Sequence, residues 1–429
     1  MISPARRICF RLLSQIESRG VYSDGALNSK IMETADHRDR HLITEIVYGT
    51  LRWQSRLDYI LAGVSSRPWP DVETEVRILL RMSLYQMWHM DRIPDHALVN
   101  DAVELAKKHL KRGTDRFLNG ILRYLTRNHP WEDGNNFKDA PKWVRVSLPQ
   151  WLWKRWAERY GENIAMKYAE TLNTPPRAAL RLGSDPDIGK LPFSVRPSEL
   201  VPGAYIRTTG AGATILEDPG PLPFQDEASQ LIPHLLGPIR GWRIWDPCAA
   251  PGGKTAVLCS KIGESGIVVA SDRSREKTSR LVRTLKSFRP LVLVADAGVP
   301  SPFRAQFDAV VADVPCSGLG TLRRNPEIKW RFCQSDLTLL QKNQLNILDS
   351  VSENVRPGGK LLYSTCSTEP EENEQVVESF IKEHPDYRIE RPADPKGIQA
   401  WTCSDSMVRT FPATRLWDGF FAALMVRNG

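Results

Sequence analysis

Residues 1–130 place apolar side chains at the spacing of an α-helix. The spacing recurs in the segments RRICFRLLSQIES, HLITEIVYGTLRWQSRLDYILAGV, VETEVRILLRMSLYQMWHM, HALVNDAVELAKKHL and DRFLNGILRYLTR. Apolar positions three and four residues apart fall on one face of a helix, so each segment predicts an amphipathic helix. Long alternating β-branched runs are absent from this part of the sequence, and the pattern therefore predicts an all-helical domain over residues 1–130.

Residues 131–235 follow a less regular pattern. They open on a polar, turn-rich stretch typical of a linker. One helical piece comes next, LPQWLWKRWAERYGENIAMKYAETLN, and Pro175 and Pro176 end it. The pattern is then mixed as far as residue 235, so we interpret 131–235 as a linker and a small subdomain.

Strand-like and helix-like segments alternate from residue 240 onward. Apolar β-type runs occur in WRIWD, GIVVASD, LVLVADA, FDAVVADVP and GGKLLYSTC, with helical stretches such as TAVLCSKIG and SREKTSRLVRTLKSF between them. This alternation predicts a parallel sheet with helices on both faces, here over residues 236–429. Ligands bind beyond the carboxyl ends of such strands, so polar residues at those ends are candidates for binding.

The formal net charge of +8 favours an anionic partner without identifying it. The densest basic run is KKHLKRGTDRFLNGILRYLTR, residues 107–127, in which seven lysines and arginines face one acid, Asp115. Such a run is either a solvated helix face or a surface that binds phosphates. If it binds RNA phosphates, the affinity should fall steeply with salt.

Cysteine spacing and hydropathy limit the class of protein further. The seven cysteines lack the spacing of a zinc site, so we expect neither a bound metal nor a disulfide framework. The sequence has no signal-peptide pattern and no apolar run of membrane-spanning length. We therefore expect a cytoplasmic protein with no membrane partner.

The loop WDPCAAPGGKT, residues 245–255, joins the first strand of this region to a helix that we predict begins near Gly253. Its small residues let the backbone approach a ligand, and the helix N-terminus offers N–H groups to a carboxylate or phosphate. The loop lacks the spacing of a Walker phosphate loop, and a plain strand-to-helix turn shares its pattern. We expect cofactor binding at Cys248, Ala249, Ala250, Pro251, Gly252, Gly253 and Lys254.

Aspartates follow the neighbouring strands. Asp272 lies about 20 residues after the loop, where an acid binds ribose hydroxyls in dinucleotide-binding folds. Asp296 follows the third strand, where an adenine edge would lie. An isolated aspartate is typical of a cap or turn, but the shared register with the small-residue loop favours a cofactor site.

Cys316 lies after the fourth strand, close to Asp313, in the motif ADVPCSGLGTLRRNPEIKW. The loop's Pro and Gly residues suit a segment that covers a bound base, although an isolated cysteine is typical of a buried apolar position. The basic residues of the motif are candidates for phosphate contacts, namely Arg323, Arg324, Lys329 and Arg331.

Cys366 lies just past the fifth strand in LLYSTCSTEPEENE. Hydroxyl residues flank it, which argues against a purely structural, buried thiol. Acids at a helix N-terminus suit the helix dipole, so we interpret the acidic run as the start of the next helix. That run comprises Glu369, Glu371, Glu372 and Glu374.

Two cysteines beside a cofactor loop indicate thiol chemistry on an electrophilic ring. Carbon 5 of cytosine is a poor nucleophile, but a thiolate that adds to carbon 6 makes it enamine-like and able to accept a methyl group. A base must then remove the proton from carbon 5 before the thiol can leave. A lowered pKa for Cys366 would suit this route.

At these motifs the sequence resembles the bacterial 16S rRNA cytosine-5 methyltransferases of the RsmB (Sun/Fmu) family. The resemblance rests on DPCAAPGGKT, DVPCSGLGTLRRNPEIKW, YSTCSTEPEENE, FQDEASQL at 224–231 and DGFFAAL at 418–424. It extends over residues 1–130, where EIVYGTLRW, DRIPDHALVNDAVELAK and FLNGILR resemble the NusB-type helical domain.

The resemblance implies an α plus α/β fold with three parts. A NusB-like RNA-binding domain at 1–130 precedes a linker with a small N1-type RNA-contacting subdomain at 131–235. A Rossmann-like class I methyltransferase domain of the NOL1/NOP2/Sun type follows at 236–429. The implied cofactor is S-adenosylmethionine, and the implied partner is 16S rRNA before or during small-subunit assembly, acted on by a monomer.

The resemblance also assigns roles to single residues. Cys366 would be the nucleophile and Cys316 the group that helps release the product. Residues 248–254 with Asp272, Asp296 and Asp313 would contact the cofactor or hold the base. The sequence departs from the family at Arg181-Leu182-Gly183, where Arg-x-Asn is usual, and at FPATRLW before Asp418, which lacks the usual histidines.

Three other functions are weighed against this one. A DNA cytosine methyltransferase would use Cys316 as nucleophile, but the Thr365-Cys366 motif and the helical domain argue against it. An amino-group methyltransferase usually shows Asp/Asn-Pro-Pro-aromatic after strand four, where this chain has Asp313-Val314-Pro315-Cys316. A non-catalytic RNA-binding or antitermination factor would need neither the cofactor loop nor the cysteines.

Overall fold

The structure is a computed structural model, and it describes residues 2–23, 25–27, 37–91, 93–132, 137, 139–182, 186–191, 193–208, 224–304, 306–392, 405–411 and 417–429. Contacts divide the described chain into two compact units. One contains the residues up to Pro175 together with Leu322–Phe332, and the other contains the remainder. The finer domain boundaries expected from the sequence stay predictions.

The helical unit confirms the all-helical expectation for the N-terminal region. Its helices are α1 (Pro4–Arg19), α2 (His37–Arg52), α3 (Gln54–Val64), α4 (Thr74–His89), α5 (Asp95–His109), α6 (Thr114–Asn128), α7 (Lys142–Arg145), α8 (Gln150–Tyr160) and α9 (Glu162–Leu172). A Cβ on Gly49 of α2 would lie 1.9 Å from the Tyr85 ring of α4, so only glycine permits this close approach.

Two of the helical segments predicted from sequence are each split in two. The run from residue 41 to 64 breaks at Trp53, between α2 and α3. The run from 148 to 173 breaks at Gly161, whose φ of 78° ends α8. An L residue rarely adopts that backbone conformation, so the glycine interrupts a pattern that hydrophobic spacing alone reads as continuous.

The segment Leu322–Phe332 belongs to the helical unit although the residues before and after it belong to the second unit. At its centre the Lys329 amino group is fully buried. Its Nζ donates to Arg52 O, Ser147 O and Asn173 Oδ1 at 3.3, 3.2 and 2.8 Å. Three acceptors therefore surround the amino nitrogen, while burial and then the Arg52 guanidinium lower the pKa of Lys329 well below its usual value.

Other side chains of this segment bond to the same unit. Glu327 accepts hydrogen bonds from the backbone N–H and the hydroxyl of Ser23. Trp330 Nε1 donates to Leu51 O at 2.7 Å. The Arg323 guanidinium, which is 4% exposed, donates to the carbonyls of Thr174 and Pro175.

The second unit is built from two sheets. A small antiparallel sheet has the order β1-β3-β2, with β1 at Ala179–Arg181, β2 at Val195–Pro197 and β3 at Ala204–Arg207. The remaining elements are α10 (Glu227–Leu231), β4 (Arg243–Asp246), α11 (Gly253–Ile262), β5 (Ile267–Asp272), α12 (Arg275–Thr284), β6 (Leu291–Val294), β7 (Phe307–Asp313), α13 (Asp336–Ser352), β8 (Val355–Thr365), α14 (Glu374–Glu383), β9 (Tyr387–Glu390), β10 (Val408–Arg409) and β11 (Phe421–Arg427).

The large sheet has the order β10-β11-β8-β7-β4-β5-β6, and β9 also pairs with β11. Strands β4 to β8 are parallel, as the sequence predicts, whereas β11 runs antiparallel to β8. Successive residues alternate between two apolar cores, as Ile244 and Trp245 do on β4. Helices α10 and α11 cover one face, and α13 and α14 cover the other.

No described helix is long and apolar enough to cross a membrane.

Candidate active site

The sheet order brings the polar strand ends together. Because β7, β4, β5 and β6 are consecutive neighbours and parallel, their carboxyl ends meet at one edge. Asp246, Asp272 and Asp313 are the last residues of β4, β5 and β7. Ligands of open α/β sheets bind at this edge, so the structure places these carboxylates where the sequence expects a ligand.

The small-residue loop lies beside the end of β5. Ala249 N donates to Ser271 O at 2.9 Å, and the loop passes into α11 at Gly253. Gly252 has a φ of 109°, and a Cβ there would lie 2.9 Å from Leu281 Cδ1. Both the backbone conformation and the close packing therefore require glycine at this point.

The two acids expected to contact a nucleoside differ in burial. Asp272 is 8% exposed, and its Oδ1 accepts a hydrogen bond from Ser274 N at the start of α12. Asp296 is exposed, two residues beyond the end of β6, and its Oδ1 accepts from Gly298 N. Ala295 N donates to Asp272 O, which joins the two strand ends.

Lys254 and Asp313 form an ion pair inside the site. Lys254 Nζ lies 2.6 Å from Asp313 Oδ2, and Ser364 Oγ donates to Asp313 Oδ1 at 2.8 Å. Burial by itself would lower the pKa of Lys254, but the Asp313 carboxylate outweighs it and raises that pKa. Lys254 is therefore a cation held next to the end of β7.

Asp246 has an oxygen without a partner. Its Oδ2 accepts from Thr255 Oγ1 at 2.7 Å, whereas its buried Oδ1 has no hydrogen-bond partner among the described residues. Burial raises the pKa of Asp246 to about 7. An orphaned acceptor, free helix N–H groups and a ring of strand-end carboxylates together fit a cofactor with amino, hydroxyl and carboxylate groups.

The two candidate thiols lie side by side. Cys316 and Cys366 follow the neighbouring strands β7 and β8, and their Sγ atoms are 3.2 Å apart. Cys366 N also donates to Cys316 Sγ at 3.3 Å. Both side chains are partly exposed, whereas the adjacent residues Ser317, Thr365 and Ser367 are buried. The two partly exposed thiols therefore lie beside buried residues at the ends of β7 and β8.

The surroundings of Cys316 disfavour its thiolate. The hydrogen bond with Cys366, then burial, then the nearby Glu372 and Asp313 carboxylates raise the pKa of Cys316 well above its usual value. Cys316 is therefore held as a thiol, and its sulfur lies 3.2 Å from the sulfur of Cys366.

The motif near the C-terminus joins the two cysteine loops by backbone contacts. Gly320 N donates to Cys366 O, and Gly419 N donates to Gly320 O. A Cβ on Gly320 would lie 1.9 Å from Gly419 O, so this crossing needs glycine. The segment at 224–231 reaches the same place, because Asp418 N donates to Asp226 Oδ1 at 3.1 Å.

Two interpretations from sequence are wrong in the structure. Lys329 and Arg323 are buried and bonded to main-chain carbonyls of the helical unit, so they are not phosphate contacts. Glu372 does not serve the N-terminus of the next helix, because it is fully buried and its carboxylate binds the two cysteine loops. Glu374, by contrast, begins α14 as expected.

Some residues singled out in the sequence lie outside the described residues. These are Cys403, Gly183 and residues 412–416 of the FPATRLW stretch. The six described cysteines are all free thiols, and the described residues contain no cluster of metal ligands.

Family models match both halves of the chain. The model described as 16S rRNA methyltransferase RsmB/F matches residues 233–426, and that of the NusB family matches residues 3–127. The chain is 32% identical to the "Probable ribosomal RNA small subunit methyltransferase B" of Bacillus subtilis (strain 168), over 99% of each chain. It is 31% identical to the protein of that name from Synechocystis sp. (strain ATCC 27184 / PCC 6803 / Kazusa), again over 99% of each.

Solved structures share the fold. The crystal structure titled PH0851 superposes with a TM-score of 0.81 at 22% identity and covers 99% of both chains. NSun6 from Pyrococcus horikoshii gives a TM-score of 0.57 at 17% identity, over 66% of this chain and 98% of that one.

Proposed function

Because this chain belongs to the RsmB/F family of 16S rRNA methyltransferases, we propose that it methylates carbon 5 of a cytosine through a covalent adduct with Cys366. Family membership makes it an S-adenosylmethionine-dependent methyltransferase of small-subunit rRNA. The observation that supports the cytosine-5 chemistry is the pair of partly exposed thiols 3.2 Å apart at the ends of β7 and β8.

The proposed reaction proceeds through attack, methyl transfer, loss of a proton and elimination. The Cys366 sulfur bonds to carbon 6 of the cytosine, and the displaced electron pair makes carbon 5 nucleophilic. S-adenosylmethionine, when bound, supplies an electrophilic methyl group. Carbon 5 takes that methyl as its bond to the sulfonium breaks. A base removes the proton from carbon 5, and the electron pair left behind expels the Cys366 thiolate.

Protein groups at the ligand edge have distinct proposed roles. Residues 248–254 contact the cofactor. Asp272 accepts hydrogen bonds from its ribose hydroxyls, and Asp296 contacts its adenine edge. Asp313, with its oxygens already accepting from Lys254 and Ser364, presents a fixed carboxylate to the cofactor or the target base. Cys316, held as a thiol, assists the release of the finished product.

Two of the competing functions can be judged against the comparisons and the site. Family membership excludes a non-catalytic RNA-binding factor. A DNA-type mechanism would need Cys316 as the thiolate, and the raised pKa of Cys316 argues against it.

We further propose that the enzyme acts as a monomer on 16S rRNA before or during small-subunit assembly. The cytoplasm, where ribosomal RNA is made, is the expected site of action.

The first prediction separates the two cysteines. With a 16S rRNA transcript and cofactor, Cys366→Ala is expected to transfer no methyl group, because the covalent step is lost. Cys316→Ala is expected to attack, methylate once and stall, because the elimination step lacks its helper. A denaturing gel should then show a slow, RNase-sensitive band for Cys316→Ala and none for Cys366→Ala.

Cys333→Ala is the matched control, because Cys333 is an exposed thiol and should keep full turnover without an adduct. The reverse gel pattern would make Cys316 the nucleophile. Retained methylation in Cys366→Ala, with no adduct in either variant, would remove thiol catalysis from this enzyme.

A further inference from the structure

Three buried side chains that the proposed reaction does not touch bind the residues flanking both cysteines. They are Gln344 of α13, and Glu372 and Asn373 immediately before α14, and each is at most 3% exposed. Their hydrogen bonds reach all four chain neighbours of the thiols, namely Pro315, Ser317, Thr365 and Ser367.

Glu372 is the centre of this cluster. Its Oε1 accepts from Ser317 N at 2.7 Å and from Gln344 Nε2 at 3.0 Å. Its Oε2 accepts from the hydroxyls of Ser317 and Ser367. One carboxylate therefore binds the residue after Cys316 and the residue after Cys366 at the same time.

The other two members bind the remaining sides of the cysteine loops. Gln344 Nε2 donates to Pro315 O at 3.1 Å. Asn373 Oδ1 accepts from Thr365 Oγ1 at 2.6 Å, and its Nδ2 donates to Ser367 O at 3.0 Å. Tyr363 Oη donates to Glu372 O at 2.6 Å, which fixes the Glu372 backbone to β8.

We propose that Glu372 is a positioning residue that holds the Cys316 and Cys366 thiols at their working separation for the methyl transfer. The proposal rests on the proposed thiol mechanism. The two loops also meet through the hydrogen bonds from Gly320 N to Cys366 O and from Cys366 N to Cys316 Sγ. The two Glu372 oxygens add a buried link between the residues that follow the cysteines. Small errors in placement cost rate steeply in reactions that depend on held geometry, which is why a buried support matters.

The charge of Glu372 also influences the protonation of Cys316. It is one of the anions that keep Cys316 protonated, after the Cys366 hydrogen bond and burial. Burial raises the pKa of Glu372 itself, and the hydrogen bonds from Ser317, Ser367 and Gln344 oppose that rise. The carboxylate thus both spaces the sulfurs and favours the thiol at Cys316.

Glu372→Gln tests the proposal in the full-length enzyme, because the amide fills the same space but presents one acceptor oxygen instead of two. We expect kcat on a 16S rRNA transcript to fall at least about tenfold while the KM for RNA changes little. We also expect the pH limb that reports Cys316 to move to lower pH, since a neighbouring anion is lost. Glu378→Gln, an exposed acid of α14, is the matched control and should leave kcat unchanged.

A second readout measures the thiol pair without activity. Phenylarsine oxide bridges two adjacent thiols, so its affinity for the wild-type enzyme reports the spacing of Cys316 and Cys366, with Cys316→Ser as the blank. Glu372→Gln should weaken this affinity about tenfold, with thermal unfolding and S-adenosylmethionine binding close to wild type. Unchanged arsenical affinity would overturn the proposal, and so would weakened affinity with unchanged kcat.

Failure of the thiol mechanism alone would look different. Cys316→Ala would then form no adduct, and Cys366→Ala would keep its activity, while the arsenical affinity still depended on Glu372.

Discussion

Asp246 is a buried carboxyl group, and only one of its oxygens has a hydrogen-bond partner among the described residues. Burial raises its pKa to about 7 in the folded protein, against about 3.9 for an exposed aspartate. The folded state therefore binds a proton that the unfolded state releases between those two values. Stability from this group is present at low pH and is lost as the pH rises from about 4 through 7.

Asp246→Asn removes this pH dependence and keeps an oxygen for Thr255. The free energy of unfolding of the variant, relative to wild type, should rise by about 2–4 kcal/mol between pH 5 and pH 8. Urea unfolding of the cofactor-free enzyme at both pH values measures it. A difference between the two proteins that stays constant with pH would contradict the assigned burial effect.

Asp272 offers a prediction on the cofactor. Its Oδ1 already accepts from Ser274 N, so its second oxygen is the one proposed to accept ribose hydroxyls. Asp272→Ala should weaken S-adenosylmethionine binding by about 1.5–3 kcal/mol, because a charged acceptor is lost. Isothermal titration measures the change.

Asp272→Asn is the companion variant, because it keeps an oxygen for Ser274 while removing the charge. A loss of affinity in both variants points to the ribose contact, whereas a loss in the alanine variant alone would point to the start of α12. Wild-type affinity in both would show that the ribose lies elsewhere.

Some residues of the candidate site can be predicted from the sequence, and others cannot. Cys316, Cys366 and the strand-end aspartates are identifiable because each follows a strand whose pattern is local. Glu372 and Lys329 are not, because an acid in an acidic run and a lysine in a basic run are both typical of solvent. Their burial depends on partners far away in the sequence, such as Ser317 for Glu372 and Arg52 for Lys329.

At the scale of elements, α5 and α6 carry the basic run in an exposed form. All seven cations between residues 107 and 127 are exposed, and only Lys107 has an ion-pair partner among the described residues, Glu104. Tyr124 of α6 is also 48% exposed, between Arg123 and Arg127 along the chain. Exposed cations with an aromatic ring among them are typical of an RNA-binding face.

Replacing Lys111, Arg112 and Arg116 with glutamine should weaken RNA binding and flatten its salt dependence. Each lost phosphate contact reduces the slope of log affinity against log salt by about 0.7–0.9. Filter binding from low to high salt measures that slope. The triple variant of Lys154, Lys342 and Lys382 to glutamine is the control with the same loss of charge, and equal slopes in the two variants would exclude a specific face.

Helices and the parallel strands follow from their periodicity, but the ends of elements do not. The break at Gly161 depends on one backbone conformation, and the antiparallel direction of β11 depends on where the chain returns to the sheet. Neither is encoded in hydrophobic spacing. The three short strands β1 to β3 are likewise too brief to produce a pattern.

At the scale of the whole molecule, the described residues of the helical unit come from two distant parts of the chain. Residues up to Pro175 supply its helices, and Leu322–Phe332 supplies a buried lysine, a buried acid and an indole donor. Deleting residues 1–130 would remove Ser23 and Leu51, the partners of Glu327 and Trp330, and Arg52, one of the three acceptors around Lys329. Loss of activity in such a truncation would therefore not report RNA binding alone.

Lys329→Met tests this dependence directly. The methionine fills similar space but leaves the carbonyls of Arg52 and Ser147 and the Asn173 amide oxygen without the donor. We expect the free energy of unfolding to fall by about 3 kcal/mol or more, measured by urea unfolding. Lys382→Met, at an exposed position of α14, should change it by less than about 0.5 kcal/mol, and equal effects of the two changes would contradict the account.

The split origin of the helical unit also sets an order of events during synthesis. The ribosome makes α1 to α9 first, but the lysine that occupies their centre emerges only after β4 to β7 have been made. Until then the carbonyls of Arg52 and Ser147 lack the Lys329 donor. The helical unit therefore lacks these hydrogen bonds until translation has passed the Cys316 loop and reached Lys329.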